Sequence, residues 1–129
     1  MYELKEEEVR VCKEIVNASF RVHKNLGPGL LEKVYEACLS YELEKAGLAV
    51  AKQVVLPIVY RDQILEQGLK LDLVVEDSVI CEVKAAEAIN PILQAQLMSY
   101  LKLAKKNIGF LINFNVVLIK DGIRRYCIE

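Results

Sequence analysis

Asp72 is followed, after nine intervening residues, by Glu82-Val83-Lys84, and both segments sit inside short apolar runs. Two carboxylates and an ammonium on one face of a hairpin are costly to gather for packing alone. Close carboxylates resist simultaneous ionisation. A divalent cation offsets that repulsion and can activate water or stabilise charge on a phosphate. Oxygen donors favour Mg²⁺ or Mn²⁺ over zinc. Lys84 can orient the attacking water or stabilise developing negative charge. This set of residue types suits metal-assisted phosphodiester cleavage. An ordinary salt bridge between Glu82 and Lys84 at a sheet edge would use the same residues, so the pattern needs support from the rest of the chain.

The hairpin must satisfy a parity rule. Residues 69–75 and 79–85 read as strands, with Glu76-Asp77-Ser78 between them. Side chains alternate between faces along a strand. Asp72 and Val74 then point one way and Leu71, Leu73 and Val75 the other, while Ile80, Glu82 and Lys84 share a face. A three-residue connection pairs Val75 with Val79 and sets Asp72 opposite Glu82, with Cβ atoms roughly 5 Å apart. A slip of one residue would separate them.

Outside the hairpin, Gln96 and Tyr100 lie four residues apart on a helical pattern and can reach across one face. Surrounded by Leu93, Leu97 and Tyr100, a buried Gln96 amide needs partners. A backbone carbonyl would serve, and so would Lys84, a metal-bound water or a substrate phosphate. Glu32 falls near the start of another helical pattern, where a carboxylate favours the helix N-terminus on its own. Its position beside Leu31, Val34 and Tyr35 also lets it approach Asp72 and Glu82 from a separate element and complete a metal environment.

The elements that would position these groups follow from periodicity. Val9, Cys12, Val16, Phe20 and His23 predict a helix from about Glu6 to Asn25. Leu26-Gly27-Pro28-Gly29 breaks it. Leu31, Val34, Tyr35 and Cys38 predict a second helix ending near Ala46-Gly47. The second helix is not visibly basic, which disfavours major-groove reading by a helix-turn-helix. Residues 50–60 favour strand, with Pro57 pointing to an edge, bend or interruption. Asn90-Pro91 offers a cap and a first-turn proline for a third helix carrying Leu93, Leu97, Tyr100, Leu101 and Ala104. Residues 108–114 read as a strand, and Asp121-Gly122 turns the chain into a final short one.

The chain has 129 residues, 53% hydrophobic and 27% charged, which fits one domain over 1–129 with its own core. No apolar run reaches the roughly 20 residues of a membrane span. The acidic start, with Glu3 and Glu6 to Glu8, lacks the parts of a secretory signal, so a cytoplasmic location and no membrane partner are expected. Cys12, Cys38, Cys81 and Cys127 contain no CxxC pair and read as small hydrophobes. His23, the only histidine, reads as a packing or surface residue. Residues 1–90 hold sixteen acids and eleven bases, whereas residues 91–129 hold two acids and six bases. Lys102, Lys105, Lys106, Lys120, Arg124 and Arg125 can therefore form a phosphate-facing surface; a solvated charged face with no ligand is the plainer alternative.

The chain closely resembles the GxxExxY protein family, within the PD-(D/E)xK nuclease-like superfamily, over almost its whole length. Gly29-Leu30-Leu31-Glu32-Lys33-Val34-Tyr35 matches the signature that names the family. Asp72, Glu82 and Lys84 match the nuclease-like core, and Gln96-Leu97-Met98-Ser99-Tyr100 resembles a Q-x-x-x-Y element. Gly109-Phe110-Leu111-Ile112-Asn113-Phe114 resembles the family's glycine-led strand. Leu71 stands where the superfamily's nominal motif has proline.

The resemblance implies an α/β core with a central mixed sheet flanked by helices. It implies metal binding by Glu32, Asp72 and Glu82, a catalytic Lys84, and Gln96 and Tyr100 supporting or binding near that centre. The sharper expectation is a Mg²⁺- or Mn²⁺-dependent DNA nuclease, with Asp72, Glu82, Lys84 and Gln96 catalytic and Tyr100, Lys102, Lys105, Lys106, Arg124 and Arg125 on the substrate. The alternative is a noncatalytic module that binds nucleic acid or a protein partner, since fold alone does not decide activity. A third reading is a soluble α/β domain whose carboxylates serve local structure. A homo-oligomer is compatible with each.

Overall fold

The computed structural model describes residues 1–128. The elements are α1 (Glu6–Leu26), α2 (Glu32–Lys45), β1 (Val50–Tyr60), β2 (Gln63–Val75), β3 (Val79–Lys84), α3 (Pro91–Ala104), β4 (Ile108–Asn113) and β5 (Ile123–Cys127). The strands form one five-stranded sheet in the order β1-β2-β3-β4-β5. β3 and β4 run parallel, joined by the α3 crossover, and the other neighbours are antiparallel. A mixed sheet with helices on both faces is therefore present.

Each face buries its own core. On one, Val11, Ile15, Tyr35, Leu39 and Leu43 of α1 and α2 meet Leu73, Val75, Cys81, Val83, Phe110 and Ile112. On the other, Leu97 and Leu101 of α3 meet Leu71, Val74, Ile80 and Leu111. Gly109 permits this second contact, because a Cβ there would come within 2.9 Å of Leu97 Cδ1. β3 and β4 are buried along nearly their whole length, as strands covered on both faces must be.

Local chemistry accounts for the boundaries. Asn90 caps α3, its side chain accepting from the Leu93 amide at 3.1 Å, and Pro91 occupies the first helical position. Glu6, Glu7 and Glu8 crowd the positive end of α1. Pro57 stands on edge strand β1 at a register shift between Leu56 and Ile58. The β1–β2 hairpin is longer than the sequence pattern indicates. β2 begins at Gln63, yet pairs with β3 only through Leu73, Val74 and Val75. The outer part of the β1–β2 hairpin leaves Val59, Tyr60, Ile64 and Leu65 exposed.

His23 is buried, with Nε2 2.8 Å from the Val116 carbonyl oxygen, which decides for packing between the packing and surface roles open in the sequence. Cys12 and Cys81 lie in the core, and no disulfide links the cysteines among the described residues. No helix among the described residues is long and apolar enough to cross a membrane.

Candidate active site

The β2–β3 register is the one the three-residue connection predicts, with Val75 opposite Val79, Val74 opposite Ile80 and Leu73 opposite Cys81. Strict alternation, however, fails at the acidic residue. Leu71 packs in the α3 core and Leu73 in the α1–α2 core, although both were expected on one face. The partner strand changes face at the same level, where Gln53 takes the left-handed region at φ 49° between Lys52, opposite Leu73, and Val54, opposite Leu71. A left-handed non-glycine residue of this kind costs of order 1–3 kcal/mol and is tolerated where the surroundings over-determine it. Asp72 lies at this switch.

Beyond Leu73 and Cys81 the β2–β3 ladder stops, and side chains take over its hydrogen bonds. The Asp72 amide donates to Glu82 Oε2 at 2.9 Å, and the Val83 amide donates to Asp72 Oδ2 at 2.9 Å. Each carboxylate thus holds the backbone of the other's strand. Glu32 begins α2 and accepts from the Ala85 amide at 3.3 Å, just past Lys84. In all three acids one oxygen takes an amide and the other takes none of these bonds.

Electrostatics follow from this crowding. Burial first, and then the Asp72 charge, push the Glu82 carboxyl up to about 7; the Asp72 amide and Lys84 oppose the rise. Burial likewise raises Asp72, with the Glu32 charge adding to it and the Val83 amide and Lys84 resisting. Lys84 therefore acts on both carboxylates through space, while no ion pair within 4.0 Å involves it among the described residues. Tyr100 is half-buried and its hydroxyl is raised by burial, then by the charges of Glu82 and Asp72, which places it in their field. Gln96, one turn earlier on α3, is half-buried.

Two residues of this site were not singled out in the sequence. Glu36 follows Glu32 by one helical turn and accepts from Gln53 Nε2 at 2.7 Å. Burial raises its carboxyl, and the charges of Asp72 and Glu32 add to that. Gln53, which marks the change of face, thereby ties β1 to α2 beside Asp72. The i,i+4 spacing of Glu32 and Glu36 was the available signal for the first; nothing in the local sequence marks the second.

The basic residues separate into two groups. Lys33, Lys52 and Lys70 line, with Glu32, Glu36, Gln53 and Asp72, an open cleft of about 660 Å³ between α2 and the β1–β2 hairpin. Lys102, Lys105 and Lys106 instead border a different hollow with Met98, Leu101 and Ile128. Lys106 Nζ bonds the Asp77 carbonyl oxygen at 2.8 Å and its Oδ1 at 3.0 Å, in the β2–β3 turn. Lys84 is at the other end of β3, five residues beyond Val79, roughly 16 Å at strand rise. Arg125 lines a groove with Cys12 and Lys13 on the α1 side, and Arg124, exposed on β5, reaches the Asp121 carbonyl oxygen at 3.4 Å. Lys102, Lys105, Lys106 and Arg125 therefore stand around other surfaces than the carboxylates, whereas the register sets Arg124 level with Glu82 across Leu111, two strands away.

By donor chemistry Asp72 and Glu82 suit a hard divalent cation, being oxygen donors of like charge that Lys84 offsets only in part. Asp72 and Glu82 are the pair that already meets. Among the described residues no three acids, histidines or cysteines stand close enough to hold a metal ion as they are placed.

A mixed sheet carrying an acid on each of two parting strands, with a lysine two residues after the second, defines a nuclease-like α/β protein. The chain belongs to the PD-(D/E)XK nuclease superfamily, whose family model matches residues 9–126. No curated protein and no solved structure matches it.

Proposed function

We propose that this chain, read as one domain, is a GxxExxY-type member of the superfamily that hydrolyses DNA phosphodiester bonds with Mg²⁺ or Mn²⁺. The observation that carries the reading is the reciprocal exchange of Asp72 and Glu82 with each other's backbone amides beside Lys84. Packing alone gives no reason to open a buried ladder and fill the gap with two acids whose protonation is already perturbed.

Asp72 and Glu82 would hold the cation, with Glu32 approaching from α2. When bound, it supplies charge neutralisation at the phosphate and lowers the pKa of water. The backbone amides fix one oxygen of each carboxylate and leave the other directed by that anchorage. Lys84 places positive charge where the phosphate gains negative charge as water attacks phosphorus and the bond to the leaving oxygen breaks. Tyr100 feels the charges of Glu82 and Asp72 from α3, and Gln96, one turn before it, would support the same region. Lys33, Lys52 and Lys70 supply the phosphate approach through the α2–hairpin cleft, a placement that favours them over the C-terminal basic residues.

One observation favours the noncatalytic alternative of a nucleic-acid or protein-interaction module: every acid of the proposed metal set is engaged by a backbone amide. The deciding experiment incubates purified protein with single- and double-stranded DNA in Mg²⁺ or Mn²⁺. Cleavage that chelation suppresses supports the nuclease. Inactivity across a broad substrate panel, together with DNA binding that survives Glu82→Ala, supports the module.

A further inference from the structure

We propose that Tyr35 is a positioning residue whose hydroxyl, not its ring, sets the orientation of Glu32 toward the end of β3. The inference rests on the site reading above for its purpose and on geometry for its content. Tyr35 is fully buried, yet its hydroxyl donates to the Gly27 carbonyl oxygen at 2.6 Å and accepts from the Leu30 amide at 3.0 Å. Those two bonds close the Gly27–Leu30 loop immediately before Glu32. Gly29 holds φ 96° inside that loop, a conformation that L side chains rarely adopt. A phenylalanine would fill the core equally well. The hydroxyl is used only on the loop.

The ring links that loop to the other half of the site. Tyr35 stacks on Phe114 with centroids 4.7 Å apart and planes within 5°. The Phe114 amide donates to the Lys84 carbonyl oxygen at 3.0 Å. Its neighbour Asn113, also buried, accepts from the Ala86 amide at 3.0 Å and donates to the Ala86 carbonyl oxygen at 2.9 Å. Close backbone approach to Gly122, where a Cβ would come within 2.0 Å of the Asn113 carbonyl oxygen, holds Asn113 in place. The chain on both sides of Ala85 is thus clamped from β4, while the residue that receives the Ala85 amide, Glu32, is clamped from Tyr35. One stacked pair joins the two clamps. The glycine, glutamate and tyrosine of the Gly29–Tyr35 signature act as one device: a turn, the acid it presents, and the hydroxyl that locks the turn.

The test uses the metal-free full chain and reads the Ala85 amide by NMR, comparing wild type with Tyr35→Phe, Glu32→Ala and the double variant. Exchange of the Ala85 amide, measured relative to the ladder amides of β4, should rise about five-fold in Glu32→Ala, the factor matching one hydrogen bond of ~1 kcal/mol. Tyr35→Phe should reproduce most of that rise, and the double variant should add nothing further. Gly29→Ala provides a second route that leaves the core intact, because nothing lies within 4 Å of the added Cβ. It should move Ala85 in the same direction. A normal Ala85 amide in folded Tyr35→Phe or Gly29→Ala, with only lower thermal stability, overturns the proposal. The readout needs neither metal nor substrate, so it stands even if the wild type cleaves nothing. Where DNA cleavage is measurable, Tyr35→Phe should lower kcat about 10-fold with KM unchanged, the scale expected when support for a ligating group is lost.

Discussion

The two ends of β3 differ in how they satisfy the backbone. At the Val79 end the strand is laddered to β2 and β4, its side chains are wholly buried and apolar, and the turn is closed by Lys106 on Asp77. At the Lys84 end the ladder to β2 is gone, and carboxylates on Asp72 and Glu82 accept the amides that a neighbouring strand would otherwise take. Both solutions leave the amides paired, as burial requires. Only the second gathers carboxylates whose charge Lys84 and burial must oppose. The comparison separates stability from chemistry: the first end should matter for folding, and the second for reaction.

The strongest contrast comes from two substitutions at the Lys84 end and one at the Val79 end. Asp72→Ala removes an acid and leaves the Val83 amide without its acceptor. Glu82→Gln keeps an acceptor for the Asp72 amide while removing the charge. If the nuclease reading holds, both should lower kcat/KM by about 10³-fold, on the scale of losing a preorganised charged group. Val79→Ala should leave kcat/KM within about two-fold while destabilising by about 1–3 kcal/mol, because Val79 is completely buried. Measuring kcat/KM beside urea unfolding for the three proteins gives both axes. Equal loss of activity at Val79 would erase the distinction.

Acidity sharpens the same contrast. The folded Glu82 carboxyl is raised from 4.5 to about 7, chiefly by burial. A raised folded pKa means that the folded chain holds the proton more tightly than the unfolded one. The associated stability is fully present below about pH 4.5 and is lost as pH rises through about 7, by about 3 kcal/mol in all. Asp72 and Glu36 are raised as well and add to the decline with the same sign. Urea unfolding of wild type from pH 4.5 to 8 should therefore show falling stability, and Glu82→Gln should flatten the profile and be the more stable protein at pH 8. An unchanged slope in Glu82→Gln would remove Glu82 as its source. A cation bound at the site should offset the same loss.

Much of this was readable from the residues, and the failures have local causes. The helices followed from periodicity and caps, and the β2–β3 register from a three-residue turn. Asp72 lies at a paired change of face with Gln53, and a left-handed glutamine carries no sequence signature. Parity reasoning therefore brought Asp72 to Glu82 correctly but put Leu71 and Leu73 on one side. The outer half of β2 was missed because Gly68 interrupts its alternation; Gly68 is needed where a Cβ would come within 2.4 Å of Ile58. Lys52 and Lys70 both lie in segments read as strands; the cleft they line depends on the β1–β2 pairing, which the sequence pattern did not reveal. Net charge by segment could not replace it, because Lys102, Lys105 and Lys106 lie at the C-terminal end of α3, around a separate hollow.

The smallest predicted effect bears on those lysines. Lys52 and Lys70 line the cleft that reaches Asp72, whereas Lys105 borders a separate hollow and Arg124 lies outside the cleft, two strands from Glu82. Each phosphate contact removed should reduce the slope of log affinity against log salt by roughly 0.9 on duplex and 0.7 on single strands. Lys52→Ala/Lys70→Ala should thus flatten the salt dependence by about 1.4–1.8 and weaken binding at low salt. Lys105→Ala/Arg124→Ala should leave slope and affinity near wild type. Lys52 also stands 3.7 Å from Glu44, an exposed pair worth at most about 1 kcal/mol, so folding should survive its loss. Fluorescence anisotropy with short duplexes and single strands across a salt series, in EDTA to prevent cleavage, measures both variants on equal terms. The reverse result, a flattened slope only in Lys105→Ala/Arg124→Ala, would move the nucleic-acid surface away from the cleft, toward α3 and β5. The cleft would then serve the site without guiding the substrate to it.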